Sequence, residues 1–242
     1  MKTLISLIVA LTCLASVSRA DSYSEFRNLI QTNYVKPLAL DLGGLLGSAS
    51  AHTGRTLGFP GFWVGGIVSI QSHPDKDDRV LRDSNVKSFG LPMVEVGVGL
   101  PFKIDVIVHG ITGHDLTIYG GGLRYGLYRT ELVDSFLPNV SISAFGDKVN
   151  QRYFGAAHAA FNAAATWNLP IVKPFFVAGA DITELTVGES SNPGVTGAKA
   201  TARGSRYSVG VDVHPLPLTS LRVSYTLRHG IPGYDIGLGA QF

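Results

Sequence analysis

The stretch YDIGLGAQF, residues 234–242, alternates without a break. Tyr234, Ile236, Leu238, Ala240 and Phe242 are apolar, while Asp235, Gly237, Gly239 and Gln241 are polar or lack a side chain. Successive side chains of a strand point to opposite faces, so such a segment has one greasy face and one wet face. The pattern recurs along the chain. Leu221, Val223, Tyr225 and Leu227 stand against Arg222, Ser224, Thr226 and Arg228, and Tyr207, Val209, Val211 and Val213 against Arg206, Ser208, Gly210 and Asp212. Phe102, Ile104, Val106 and Val108 stand against Lys103, Asp105, Ile107 and His109, and Val94, Val96, Val98 and Leu100 against Glu95, Gly97 and Gly99. Val140, Ile142 and Ala144 stand against Asn139, Ser141 and Ser143, and weaker repeats lie near Phe62–Ile70, Phe161–Trp167 and Phe176–Ile182. Near residue 120 the phase changes: Leu116 and Ile118 are even, Leu123, Tyr125 and Leu127 odd. A β-bulge at Gly120–Gly122 is expected there.

A two-faced strand suits a soluble sandwich, with its apolar face inward, or a membrane barrel, with its apolar face on lipid. The barrel is favoured. The wet face is rich in Gly, Ser, Thr and Asn. Charged residues make up 16% of the chain, below the quarter or so of ordinary soluble domains. Tyr128, Tyr153, Phe154, Trp167, Phe175, Tyr234 and Phe242 fall near strand ends, as an aromatic girdle would. The opening MKTLISLIVALTCLASVSRA has Lys2, an apolar run and a small-x-small ending at Ala20, the pattern of a secretory signal removed after export. Its apolar run is too short to span a bilayer as a helix. Cys13 lies within it, so a processed chain has no thiol chemistry or disulfide framework. With Lys2 and Arg19 gone, the 20 basic residues fall to the 18 of the acidic set. That balance gives no sign of the basic stripe of a nucleic-acid binder, and no nucleic-acid partner is expected.

The expected fold is therefore all-β: an antiparallel transmembrane barrel of about 10–12 strands, with a short N-terminal helix. Residues 1–20 are the leader, 21–44 a helical plug or periplasmic segment, and 45–242 the barrel. About eleven segments qualify as strands, and an even count is the rule for bacterial barrels. The weakest is Leu45–Thr53. Phe26, Leu29, Ile30 and Tyr34 have helical spacing, with Ser24 as a candidate cap and Pro37 as a stop. Proline turns at Gly99–Pro101, Asn168–Ile171 and His214–Thr219 contrast with longer polar links at Ser72–Asn85 and Gly188–Thr201. A short helical turn is expected within Thr130–Asn139.

Alternation ending on phenylalanine resembles the signal read by the barrel-assembly machinery of bacterial outer membranes, with Tyr234 and Phe242 as its elements. It implies an outer-membrane location and lipid as surroundings. Tyr34, Pro37, Phe59-Pro60-Gly61, Gly90-Leu91-Pro92 and Gly120-Gly121-Gly122-Leu123 resemble a group of outer-membrane barrels similar in outline to FadL-like transporters. That resemblance implies a plug ahead of the barrel and passage of hydrophobic compounds.

Ten charged residues are expected to face the lumen: Lys103, Arg124, Arg206, Arg222 and Arg228 against Glu95, Asp105, Asp181, Asp212 and Asp235. Equal signs favour internal ion pairs filling a narrow bore. The alternative is a polar path for a small solute. Arg222 and Arg228 are expected near Asp212 and Asp235. No histidines pair at metal-ligand spacing, DKDD (Asp75–Asp78) departs from a calcium loop and reads as a solvated outer link, and no nucleophile elbow occurs. His114-Asp115 would point oppositely on a strand. Neither cofactor nor metal is expected, and no catalysis. The leading function is passive passage or binding of a small compound, hydrophobic ones included. A closed structural or interaction barrel is the first alternative, a lipid-modifying enzyme the remoter one.

Overall fold

The computed structural model describes residues 22–113, 115–129 and 137–242. The expected leader, His114 and most of the expected turn at 130–139 lie outside them. Ten strands form a closed antiparallel barrel: β1 (Phe62–Gln71), β2 (Phe89–Leu100), β3 (Ile104–Gly113), β4 (Leu116–Tyr128), β5 (Asn139–Gln151), β6 (Phe154–Thr166), β7 (Val172–Val187), β8 (Lys199–Val213), β9 (Thr219–Arg228) and β10 (Ile231–Gln241). Each pairs with its sequence neighbours, and β1 closes on β10 from Trp63↔Gln241 to Gln71↔Gly233. Closure removes every edge, which a sheet in lipid requires.

Side chains alternate as expected. Val223 and Ile236 are 42% and 45% exposed on the outside, whereas Arg222 and Asp235 are 9% and 3% exposed in the lumen. Apolar outside and polar inside is the polarity of a transmembrane barrel. No helix among the described residues is long and apolar enough to cross a membrane.

The two rims differ. One, the terminal rim, holds the start of β1, the end of β10 and the proline turns. The other, the loop rim, holds the links between Gln71 and Phe89 and between Val187 and Lys199, the end of β3 and start of β4, and tight connections at 152–153 and 229–230. Towards the loop rim the polarity inverts. Ile118, Val149, Ala156, Leu185 and Ala200 are in register across five strands and face inward. The next row, Lys148, Ala157, Glu184 and Thr201, faces outward and is exposed. The barrel thus has two storeys: a membrane-type storey below, and above it one with an apolar core and a polar surface.

The core of the upper storey is completed from within. Helix α1 (Ser22–Leu29) and helix α2 (Val35–Ala49), joined by a 3-10 turn at Thr32–Tyr34, pack Phe26, Ile30, Val35, Leu38, Leu45 and Leu46 against Met93, Ile118, Val149, Phe154 and Leu185. A third short helix, α3 (Arg79–Asp83), lies in the first long link and packs on α1.

Several expectations are corrected. Leu45–Thr53 is not a strand: α2 runs to Ala49, so the barrel begins at Phe62 rather than at 45, and the N-terminal segment extends to 61. Ser24 lies inside α1 rather than capping it, and Pro37 falls in the first turn of α2, where proline is tolerated, instead of ending a helix. The glycines 120–122 carry no bulge: β4 pairs in unbroken register there, and the shift falls between Gly126 and Tyr128. The phase change arises because Ile118 faces the apolar upper lumen. Phe154 and Phe175 belong to no girdle, since both are buried inside. Asp78 is not solvated: it is buried, and Oδ1 caps α3 by accepting from Leu81 N at 3.0 Å.

Candidate functional site: a lumen filled by its own chain

The lumen holds the chain that precedes β1. Helix α2 descends from the loop rim, and residues 50–61 continue to the terminal rim without regular structure. Irregular backbone at membrane depth needs partners for every N–H and C=O. Inward charges and hydroxyls of the wall supply several of them. Arg222 Nη1 donates to Ala51 O at 3.4 Å, Arg124 Nη1 to Thr53 O at 3.2 Å and Ser141 Oγ to the same carbonyl at 3.4 Å. Gly54 N donates to Thr166 Oγ1 at 2.8 Å, and Leu57 N to the Asp105 carboxylate at 3.1 and 3.2 Å. Higher up, Arg228 Nε donates to Ser48 Oγ at 2.6 Å.

The helix fits because three of its positions lack side chains. A Cβ on Gly43 would strike the Thr183 hydroxyl, one on Gly44 would lie 3.1 Å from Arg228 Cβ, and one on Gly47 would meet the Arg206 guanidinium carbon at 2.5 Å. Glycine in a helix costs about 1 kcal/mol relative to alanine. Here close approach to β7–β9 offsets it.

Nine of the ten expected lumen charges are buried inside: Glu95, Asp105, Arg124, Asp181, Arg206, Asp212, Arg222, Arg228 and Asp235. Lys103 is the exception. It is exposed in the Pro101–Lys103 turn at φ 62°, one residue before β3 begins, so the strand period does not govern it. Arg124 Nε pairs with Asp105 at 2.8 Å, Arg206 Nε with Asp181 at 2.7 Å, and Arg228 Nη2 with Asp235. The expected approach of Arg228 to Asp235 is therefore present. Arg222 lies opposite Asp212 in register, but Asp212 accepts from Ser220 Oγ at 2.5 Å instead. Arg222 Nε is buried with no protein partner and borders a cavity of about 30 Å³ lined also by His52, Arg124 and Ser220. That is room for one water.

The sequence reading left the histidines out of the network. His52 joins Glu95 at 3.0 Å, and Trp63 Nε1 donates to the other Glu95 oxygen at 2.6 Å. His109 meets Asp147 at 2.5 Å, and His229 meets Asp181 at 3.0 Å. Phe145 stacks between His52 and His109, at 5.3 and 5.7 Å. Asp147 and His109 were legible from the inward register of their strands. His52 carried no such signal, because nothing local places residues 50–61 in the lumen. No three His, Asp, Glu or Cys side chains among the described residues are placed to hold a metal ion.

At the loop rim a second contact fixes the plug. Asp41 of α2 accepts from Gln71 Nε2 at 2.6 Å and from Asp75 N at 2.9 Å, and faces the buried Asp78. Burial and the neighbouring Asp78 charge push the Asp41 carboxyl up to about 8, and burial also raises Asp78. Asp78 Oδ2 is buried with no donor on the protein, and the raised pKa of both carboxyls favours one of them holding a proton at neutral pH.

Fold and interior together define a transmembrane β-barrel plugged by its own N-terminal segment. No protein-family profile matches the chain, and no curated protein matches it. Among solved structures it is similar to Ail, the attachment invasion locus protein of Yersinia pestis, at 14% identity over 76% of this chain and 100% of that one, with a TM-score of 0.33. It is also similar to the outer membrane protein OprG from Pseudomonas aeruginosa, at 11% identity over 79% and 99%, TM-score 0.37. Neisserial surface protein A shares 12% identity over 75% and 95%, TM-score 0.31. These likenesses concern the barrel fold alone.

Proposed function

We propose that the chain is a bacterial outer-membrane barrel, exported with residues 1–20 as a cleaved leader, whose bore is closed by its own N-terminal segment. It acts as a structural or interaction barrel and not as an open pore. The long links then face outward and the terminal rim faces the periplasm, as is general for such barrels. Tyr234 and Phe242, both exposed on the outside, support β10 as the strand offered to the assembly machinery. Outer-membrane lipid is the partner of the apolar band.

The observation that carries the closed reading is the bonding of residues 48–57 to the wall at successive depths, from Arg228 down to Asp105. Planar-bilayer recording tests it. The purified full chain is expected to give no conductance steps. Steps that persist when the helix is locked to the wall would sink this reading. The Gly43→Cys/Thr183→Cys pair supplies the lock: a Cβ on Gly43 would lie 3.2 Å from Thr183 Cβ, near disulfide range.

A second reading is favoured by the apolar upper storey and by the FadL-like resemblance. Withdrawal of α1 and α2 would bare Met93, Ile118, Val149, Phe154 and Leu185 to the outer mouth, a surface suited to a small, apolar compound. Uptake of an apolar dye by cells bearing the cysteine pair separates the two readings. Uptake lost on oxidation and regained on reduction favours transport by plug movement. Uptake absent or unchanged excludes it.

A further inference from the structure

The terminal rim is built unlike its opposite. Its connections carry Pro101, Pro138, Pro170, Pro215 and Pro217, with Pro60 in the lead-in to β1. Beside these prolines large apolar side chains stand out into the surroundings: Phe59, Phe102, Leu137, Ile171 and Leu216. Phe102 is 85% exposed at φ 64°, a left-handed conformation that holds the ring at the tip of its turn. Among the described residues of these connections none is Asp or Glu, and Lys103 is exposed beside Phe102. The loop rim is the reverse, with exposed Lys76, Asp77, Arg152 and Glu189.

Large apolar side chains on the described parts of one rim's connections form a surface that water does not favour. The outward residues next to the tips are apolar too, including Leu100, Val172 and Leu221, so the tips continue the lipid-facing band without a polar break. Proline has no N–H, and a turn entering an apolar medium leaves fewer donors unsatisfied when it contains one.

The geometry points to the terminal rim as a phospholipid-immersed collar, in which the turn tips enter the acyl and glycerol region of the facing leaflet and Lys103 lies among its phosphates. The membrane then reaches past the ends of the strands on this side, while the upper storey projects into water on the other. This rests on the membrane-spanning reading above.

The test uses the scarcity of cysteine: the sequence has a single one, Cys13, in the expected leader. Nitroxide labels are placed on Phe102→Cys, Leu216→Cys, Val223→Cys and Arg152→Cys in the full chain. The proteins are reconstituted into phosphatidylethanolamine–phosphatidylglycerol vesicles. Collision with oxygen, which concentrates in lipid, is compared with collision with a water-soluble nickel chelate. The labels at 102 and 216 are expected to favour oxygen several-fold, as the label at 223 does, and to differ from that at 152. Labels at 102 and 216 that match 152 while 223 favours oxygen would overturn the collar and leave the spanning band standing. A label at 223 that also matches 152 removes the spanning reading and the collar with it. Labels at 102 and 216 shielded from both probes would show protein covering the rim, a second copy included, and overturn the collar as well.

Discussion

Arg206 is almost wholly buried and directs its donors to two walls at once, Nε to Asp181 and Nη2 to Asn162 at 2.9 Å. Breaking such a pair from one side costs about 3–5 kcal/mol where the other charge is stranded, and less here because His229 still meets Asp181 at 3.0 Å. Arg206→Met is therefore expected to lower the urea midpoint in detergent, and Asp181→Leu/Arg206→Met to recover much of the loss. A double variant as unstable as the single one would show that Arg206 acts through Asn162 and the plug rather than through its ion pair. At Asp41 the effect is of pH. Its folded carboxyl titrates near 8 and its unfolded one near 3.8, so between those values the folded chain holds the extra proton. Stability conferred by the plug contact is then full below about 4 and falls as pH rises towards 8. Amide exchange in α2, corrected for intrinsic rates, should be slower at pH 5 than at pH 9, and Asp78→Asn should flatten that difference. An unchanged gap in the Asp78→Asn variant would refute the extra proton. Nine lumen charges were legible in the sequence because a strand's period of two fixes each side chain's face. Asp41, Gln71 and His52 were not, since their partners come from segments that the period says nothing about.

Among the elements, α2 sets the tightest constraint. Its glycines at 43, 44 and 47 face side chains rather than space, so the general gain from replacing a helical glycine should not appear. Gly47→Leu should cost about 1–3 kcal/mol by overpacking against Arg206, read as a lower thermal midpoint. An equal or higher midpoint would mean that the helix can shift within the bore. The helix itself was partly legible: spacing from Phe26 to Tyr34 announces helical structure just ahead of it, but its last residues, Leu45–Ala49, carry the look of a strand. VKPLALDLGGLLGSA is apolar nearly all round, and such a helix looks amphipathic to neither period. Its environment explains this, with apolar wall on several sides and Asp41 meeting the link above. The same upper wall misled the reading of β4, where an inward Ile118 mimicked a bulge.

On the scale of the molecule, the two storeys divide the work of stability. Below, the sheet is held by strand pairing and by charges that bond the irregular plug. Above, it is held by a soluble-type core of helix against sheet. The chain also traverses its own bore, so that α1 and the end of β10 lie at opposite rims. Arg27 is exposed on α1, beside Ser191 of the second long link, whose N–H donates to the Arg27 carbonyl at 3.0 Å. In intact cells Arg27→Cys is expected to react with a membrane-impermeant maleimide. Protection until the envelope is breached would place that rim on the periplasmic side and reverse the assigned orientation. The threaded bore also orders the events of biogenesis. A ring already zipped shut would have to admit a folded helix lengthwise past Arg206 and Arg228, whereas an open, curling sheet can wrap around one. The seam between the first and last strands is thus the stitch to be made last, and the segment ahead of the sheet is the mandrel on which the sheet is wound.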